Sequence, residues 1–189
     1  MFYNRSKWIP RPWPIHFELH LKKRRTMAII QKYFIKGGKK MKIYIASDHR
    51  GVELENNLID KLIELGYTVE KSLLENNPLD DYPDFAFDVA KKVVNDKSSI
   101  GIIICGNGIG VSIAANKVKG IRCARVVKKE EAYQARNHNG ANMLAFGGIS
   151  VEDALLIVKT FIETPYVNEE KHLRRVEKII SYENGAYYE

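Results

Sequence analysis

The chain has 189 residues, of which 45% are hydrophobic and 28% are charged. This length and composition fit one globular domain with a full core, and no apolar run approaches the roughly 20 residues needed to span a bilayer. A membrane protein is therefore not expected. Cys105 and Cys123 fall in or beside predicted buried strands, which indicates reduced thiols in a cytoplasmic protein rather than a disulfide framework.

The net charge of +7 is unevenly distributed along the chain. Residues 1–40 hold 11 Lys and Arg against one acid, Glu18, whereas residues 41–189 hold 19 Lys and Arg against 22 Asp and Glu. The basic character therefore belongs to the first 40 residues, and nucleic-acid binding is not expected for the mildly acidic remainder.

Residues 1–40 are interpreted as a basic extension outside the fold, because they mix Trp and Pro with a basic run at 22–25 and show no sustained hydrophobic period. Such a segment is either an organellar targeting sequence or a nucleic-acid arm. The alternative is an upstream reading of the start codon, with Met41 as the true initiator. In each case the domain is expected over residues 41–189.

From Met41 onward, strand and helix patterns alternate without internal repeats. The leucines after the first strand recur at helical spacing up to Gly66, which is placed as a helix stop. The predicted strands are 43–46, 68–69, 100–104, 121–124 and 142–146, and the predicted helices after the first are 85–93, 129–137, 151–163 and 169–183. Five strands with crossover helices predict an α/β fold with a doubly wound, Rossmann-like parallel sheet and a C-terminal helix.

The glycine-rich turn after the third strand is the strongest chemical signal. Cys105 is followed by glycines at 106, 108 and 110, and then by a predicted helix. Glycines let the backbone approach a ligand, and the free N–H groups at a helix start favour negative charge. Cys105 is therefore a candidate nucleophile or general base, although a lone cysteine is more often a small core residue.

Other strand ends also carry unusual residues. The segment 48–51 follows the first strand, and Gly147 and Gly148 follow the fifth. Ligands collect at the carboxyl ends of parallel strands, so these loops are expected to meet the Cys105 turn. The segment 136–139 is expected on the approach to the same edge. Asp48 could instead only cap a helix, and His138 could only complement a helix C-terminus.

Several nucleotide and metal sites are excluded by the pattern. The glycine run lies on the third strand without the spacing of a dinucleotide site, and no P-loop sequence occurs. The five histidines never fall at ligand spacing with Cys or carboxylate partners, so no metal or other cofactor is expected. On the last predicted helix, Lys171, Arg174 and Arg175 share a face beside His172, which is either a phosphate site or a solvated surface.

Taken in order, these motifs resemble the type B ribose-5-phosphate isomerases, a family that also contains galactose-6-phosphate isomerase subunits and allose-6-phosphate isomerases. The resemblance covers essentially all of residues 41–189. It rests on the segments 48–51, 81–83, 105–110, 115–117, 120–122, 138–139, 142–147 and 172–176.

The resemblance implies a metal-free aldose–ketose isomerisation of ribose 5-phosphate and ribulose 5-phosphate through an enediolate, in the pentose phosphate pathway. Cys105 matches the base that moves a proton between C1 and C2, and the backbone amides of the glycine loop match an oxyanion hole. His138 together with Asp48 matches the residues that open the furanose ring.

The resemblance also implies homodimers with sites at the interface, so that the tail cations serve a neighbouring subunit. The residues that match sugar-phosphate contacts are His49, Tyr82, Gly106, Asn107, Gly108, Gly110, Asn139, Lys171, His172 and Arg175.

Three departures from the family pattern bear on the substrate. Asn107 stands where Thr or Ser is common, Ile149 stands where Arg usually follows the paired glycines, and Lys171 replaces an Arg before His172. Lys binds phosphate as a point charge, without the bidentate fork of Arg. These changes leave two other functions open. The chain could be a hexose 6-phosphate isomerase or a non-catalytic sugar-phosphate-binding protein.

Overall fold

A computed structural model of the chain describes residues 41–166 and 169–186. The predicted extension 1–40 therefore lies outside the described residues. The strands are β1 (Lys42–Ser47), β2 (Thr68–Lys71), β3 (Ser99–Ile104), β4 (Cys123–Arg125) and β5 (Met143–Phe146). The helices are α1 (Val52–Glu64), α2 (Tyr82–Asn95), α3 (Ile109–Ala115), α4 (Lys129–Asn139), α5 (Val151–Glu163) and α6 (Glu170–Glu183).

The five strands form one sheet in the order β2-β1-β3-β5-β4, and every neighbouring pair is parallel. The registers place Ile104 of β3 beside both Ser47 of β1 and Phe146 of β5. These three strands therefore end at the same level. The predicted α/β fold with a doubly wound parallel sheet and a C-terminal helix is confirmed.

Helices cover both faces of the sheet, which is why its strands are almost continuously apolar. One face packs β1, β3 and β5 against buried residues of α1, α4 and α5, such as Leu58, Ala132 and Phe161. The opposite face packs the same strands against α2 and α3, through residues such as Val89 and Ala114. The central strand β3 is buried along its whole length, so the turn that follows it is firmly supported.

Two local predictions were wrong. The helix predicted over 85–93 begins at Tyr82, because Pro83 lies in its first turn, where proline costs no hydrogen bond. The fourth strand begins at Cys123 rather than at residue 121, because the N–H of Arg122 is bound by the Asn142 side chain instead of a strand partner.

The direction of the elements decides where the functional residues lie. In a parallel sheet each helix carries the chain from the carboxyl edge back to the amino edge. Residues that follow a strand therefore lie at the carboxyl edge, whereas residues that end a crossover helix lie at the amino edge. None of the helices among the described residues is long and apolar enough to cross a membrane.

Candidate active site

Three loops meet at the carboxyl edge of the sheet. The N–H of Asp48 donates to the carbonyl of Ile104 at 3.1 Å, and the N–H of Cys105 donates to the carbonyl of Phe146 at 3.2 Å. A Cβ added to Gly147 would lie 1.7 Å from the carbonyl oxygen of Cys105, so only glycine fits there. The predicted meeting of the loops after β1, β3 and β5 is confirmed.

Cys105 is at the centre of this edge and is only 7% exposed. Its Sγ accepts a hydrogen bond from the N–H of Gly108 at 3.1 Å. Gly108, which comes directly before α3, has φ +76°, a left-handed conformation that glycine adopts without steric cost. The sulfur of Cys105 therefore lies against a main-chain donor at the edge where the three loops meet.

The Asn107 side chain shapes the turn. Its Oδ1 accepts the N–H of Ile109 at 3.0 Å and lies 4.0 Å from the Cys105 sulfur. Its main-chain carbonyl accepts from Nε of Arg125 at 3.0 Å. The asparagine therefore stabilises the start of α3, where a side-chain oxygen replaces a missing intrahelical acceptor.

The Tyr82 side chain packs against the glycine loop that follows Cys105. A Cβ added to Gly110 would lie 2.7 Å from Cζ of Tyr82, so the tyrosine ring packs directly on this glycine. The N–H groups of Gly110 and Val111 are in the first turn of α3, where no intrahelical acceptor exists. This backbone can hold an anionic oxygen close to Cys105.

Asp48 and His49 lie beside the Cys105 turn. Asp48 is 5% exposed, and burial raises the pKa of its carboxyl, although the N–H of Arg50 donates to Oδ1 at 3.0 Å and favours ionisation. His49 is held by Asp80, whose Oδ1 lies 2.7 Å from Nδ1 and also accepts the His49 N–H. Burial opposes ionisation of Asp80, but the bonds from His49 and Asn76 outweigh it and leave its pKa below the ordinary value.

His138 and Asn139 lie at the opposite edge of the sheet, so the prediction that 136–139 approaches the Cys105 edge was wrong. Helix α4 ends beside the start of β4, and Arg122 donates to the carbonyls of Asn139 and Gly140. The four residues of β5 separate this amino edge from Phe146 at the carboxyl edge, a distance of about 13 Å along the strand. His138 and Cys105 of one subunit are therefore not brought together.

The tail residues join His138 at the amino edge. The ring of His172 on α6 stacks on His138, with centroids 4.3 Å apart and planes within 5°. Desolvation and the charge of His138 lower the pKa of His172. Lys171 is 2.9 Å from Glu169, so its charge is partly neutralised within the subunit. Arg174 and Arg175 share the exposed surface of α6.

The predicted residues thus form two groups. The carboxyl-edge group contains Cys105, Asp48, His49, Tyr82, Gly106, Asn107, Gly108 and Gly110, whereas the amino-edge group contains His138, Asn139, Lys171, His172 and Arg175. Within residues 41–166 and 169–186, no three His, Cys, Asp or Glu side chains are grouped so that they could hold a metal ion together.

Three residues at the carboxyl edge were not assigned a site role from the sequence. Asp80 orients His49, Arg50 lies against Gly106, and Arg125 holds the Asn107 carbonyl. Two acids, Asp80 and Asp81, precede Tyr82 and Pro83 in the sequence. This local pattern does not predict that Asp80 contacts His49, 31 residues earlier in the chain.

Comparison with known proteins decides the family. The ribose/galactose isomerase family matches residues 43–179. This chain belongs to that family. The result confirms the family expected from the motifs and, with it, the isomerase class of enzyme.

Individual relatives agree over the same part of the chain. Ribose-5-phosphate isomerase B of Mycobacterium tuberculosis is 38% identical over 146 residues, which are 76% of this chain and 90% of the relative. The structure of ribose-5-phosphate isomerase B from Clostridium thermocellum has a TM-score of 0.73 at 41% identity and covers 77% of this chain and 99% of its own. The Mycoplasma genitalium isomerase, solved with bound ribulose-5-phosphate, has a TM-score of 0.72 at 39% identity, with coverages of 77% and 98%.

Proposed function

We propose that this chain interconverts ribose 5-phosphate and ribulose 5-phosphate through an enediolate, with Cys105 as the base. The observation that carries the proposal is the buried thiol that accepts the Gly108 N–H where three strand-end loops meet. The relative solved with ribulose-5-phosphate supports this choice of substrate. We assign the activity to residues 41–189 and place it in the cytoplasm, in the pentose phosphate pathway.

The reaction needs one proton to move between adjacent carbons. The Cys105 thiolate takes the proton from C2 of the open-chain aldose, and the released electron pair forms the C1=C2 double bond while the carbonyl oxygen on C1 becomes anionic. The amides of the glycine loop stabilise that oxygen. The thiol then returns the proton to C1, and loss of the O2 proton produces the C2 ketone.

A proton must also move between O1 and O2. Asn107 has no hydroxyl, and its Oδ1 is occupied by the N–H of Ile109. Asp48 lies at the same edge, and burial raises the pKa of its carboxyl, which makes it a stronger proton acceptor than an exposed aspartate. We assign it this transfer, in addition to its part in ring opening with His138.

A homodimer completes the site in this proposal. His138 lies about 13 Å or more along the sheet from Cys105 of its own subunit, too far for both to touch one sugar. Apolar side chains are exposed near both groups: Ile109 is 49% and Ile113 57% exposed on α3, and Ile179 is 55% exposed on α6. A two-fold dimer that covers these residues would bring His138 and the α6 cations of one subunit to Cys105 of the other.

The alternative substrate is a hexose 6-phosphate such as allose or galactose 6-phosphate. It is favoured by Ile149, which packs against the core and supplies no charge, and by the ion pair of Lys171 with Glu169. A non-catalytic sugar-phosphate-binding protein would bind the same ligands without exchanging a carbon-bound proton.

Isomerisation in deuterium oxide separates these possibilities. Turnover of ribose 5-phosphate is followed by proton NMR, with allose and galactose 6-phosphates assayed in parallel. The proposal predicts deuterium at C1 of ribulose 5-phosphate and a higher kcat/KM for the pentose. Faster turnover of a hexose phosphate would change the substrate, and carbon-bound exchange with none of the three sugars would contradict the isomerase assignment.

A further inference from the structure

Two arginines flank the turn that follows Cys105. A Cβ added to Gly106 would lie 2.8 Å from Cζ of Arg50, so the Arg50 guanidinium packs against this glycine. Arg125, the last residue of β4, donates through Nε to the carbonyl of Asn107. Two guanidinium groups, one from the loop after β1 and one from β4, therefore contact the consecutive residues Gly106 and Asn107.

Neither guanidinium forms an ion pair in the part of the chain that the structure describes, where every ion pair is formed by a Lys or a His. Asp48, two residues before Arg50, accepts the main-chain N–H of Arg50 instead. Both arginines are exposed. Since Arg125 uses only Nε on Asn107, its terminal N–H groups remain available for a ligand.

Arg125 reaches this loop across the end of the neighbouring strand. In the order β3-β5-β4, its side chain must pass over the turn after β5, and Gly147 and Gly148 have no side chains to block it. Ile149 in the same turn packs against the core. Ile149 therefore brings no charge to this edge, whereas Arg125 brings a guanidinium to the Asn107 carbonyl.

We propose that Arg50 and Arg125 together bind the phosphate group of the sugar phosphate at the Cys105 turn, an inference that rests on the proposed function. Guanidinium forks bind phosphate oxygens in a bidentate manner, and two of them match the charge of a phosphate dianion. The two guanidinium groups supply the bidentate phosphate contacts that Ile149 and the ion-paired Lys171 cannot make. It sets the affinity for the ligand rather than the rate of proton transfer.

Binding of inorganic phosphate and ribose 5-phosphate to the full chain tests the pair by calorimetry, independently of turnover. We expect Arg50→Gln and Arg125→Gln each to weaken phosphate binding about tenfold, the double variant to weaken it further, and the Arg→Lys variants to lie between. Lys91→Gln, which removes an exposed charge from α2, is the matched control and is expected to change nothing. Kinetically, KM should rise much more than kcat falls.

Thermal unfolding confirms that the variants remain folded. Unchanged phosphate affinity in the double variant would overturn the proposal, as would a loss of kcat with phosphate affinity intact. A wild-type chain without isomerase activity, whose phosphate binding still depends on both arginines, would refute the proposed function and leave the guanidinium pair supported.

Discussion

The two cysteines show how neighbouring atoms decide the role of a residue. Burial raises the pKa of the Cys123 thiol to about 12, so this cysteine remains protonated. Cys105 is also buried, yet a main-chain N–H points at its sulfur. The difference comes from the glycines that follow Cys105, since they allow the chain to turn back on the thiol.

Gly108 is the residue on which this turn depends most. It has φ +76°, and an added Cβ would lie 2.7 Å from Cα of Phe146, a main-chain atom that cannot move aside. Gly120 has a comparable φ of +89°, but its nearest neighbour would be 3.7 Å away. We expect Gly120→Ala to cost about 1 kcal/mol from the strained backbone alone and Gly108→Ala to cost about 3 kcal/mol or more.

Urea unfolding of both variants measures this difference in stability. Turnover of ribose 5-phosphate is measured on the same two variants. Gly108→Ala should lose most of its turnover because the N–H moves away from Cys105, whereas Gly120→Ala should retain it. Equal stability losses would show that the close approach of Gly108 to Phe146 is not a structural constraint.

The catalytic side of the site could be predicted from single residues, but the arginines could not. Cys105 and its alternating glycines form a local pattern that has chemical meaning without any knowledge of the fold. Arg125 contacts Asn107 only because β4 lies two strands from β3, an order that single-residue properties do not encode. The hydrogen bonds from His49 to the Asp80 carboxylate likewise depend on the path of the loop before α2.

At the level of elements, the stack between α4 and α6 links the imidazoles of His138 and His172. Desolvation and the charge of His138 lower the pKa of His172 in the folded chain below its ordinary value of 6.5. The unfolded chain therefore binds more protons than the folded chain just below pH 6.5. This makes the free energy of unfolding fall as the pH drops from above that value towards the lowered pKa.

Urea unfolding between pH 5 and pH 8 tests this dependence, since both values lie above the ordinary range of carboxyl groups. We expect the wild-type chain to lose stability towards pH 5 and the variant His172→Gln to show a flatter profile. Identical slopes in the two proteins would show that folding does not lower the pKa of His172.

Element directions also explain the main error of the sequence analysis. The strand ends were placed correctly at one edge because each is followed directly by its loop. The segment 136–139 was placed there by proximity to β5, but it ends a crossover helix and must lie at the amino edge. Hydrophobic periodicity predicted that the helix exists without indicating which end of it faces the ligand.

At the scale of the whole molecule, the separation of the two groups predicts complementation between inactive subunits. Cys105→Ala removes the proposed base and His138→Gln removes the proposed ring-opening residue, so each proposed homodimer should be inactive. In a mixed dimer, one site combines both substitutions and the other retains both native side chains. Co-refolded equal amounts should therefore recover about a quarter of the wild-type activity, since half of the dimers are mixed and half of their sites are intact.

Two controls define the result. Subunits mixed without refolding should show less recovery, and the homodimers alone should show none. If His138 and Cys105 acted within one subunit, both sites of every mixed dimer would be defective and no activity would return.

Turnover of ribose 5-phosphate by three forms of the full chain decides whether Cys105 is the base of the isomerase. We expect the wild-type chain and Cys123→Ser both to be active, and Cys105→Ser to lose at least about a thousandfold in kcat while still binding ribose 5-phosphate. Activity in Cys105→Ser within about tenfold of the wild type would show that the base lies elsewhere.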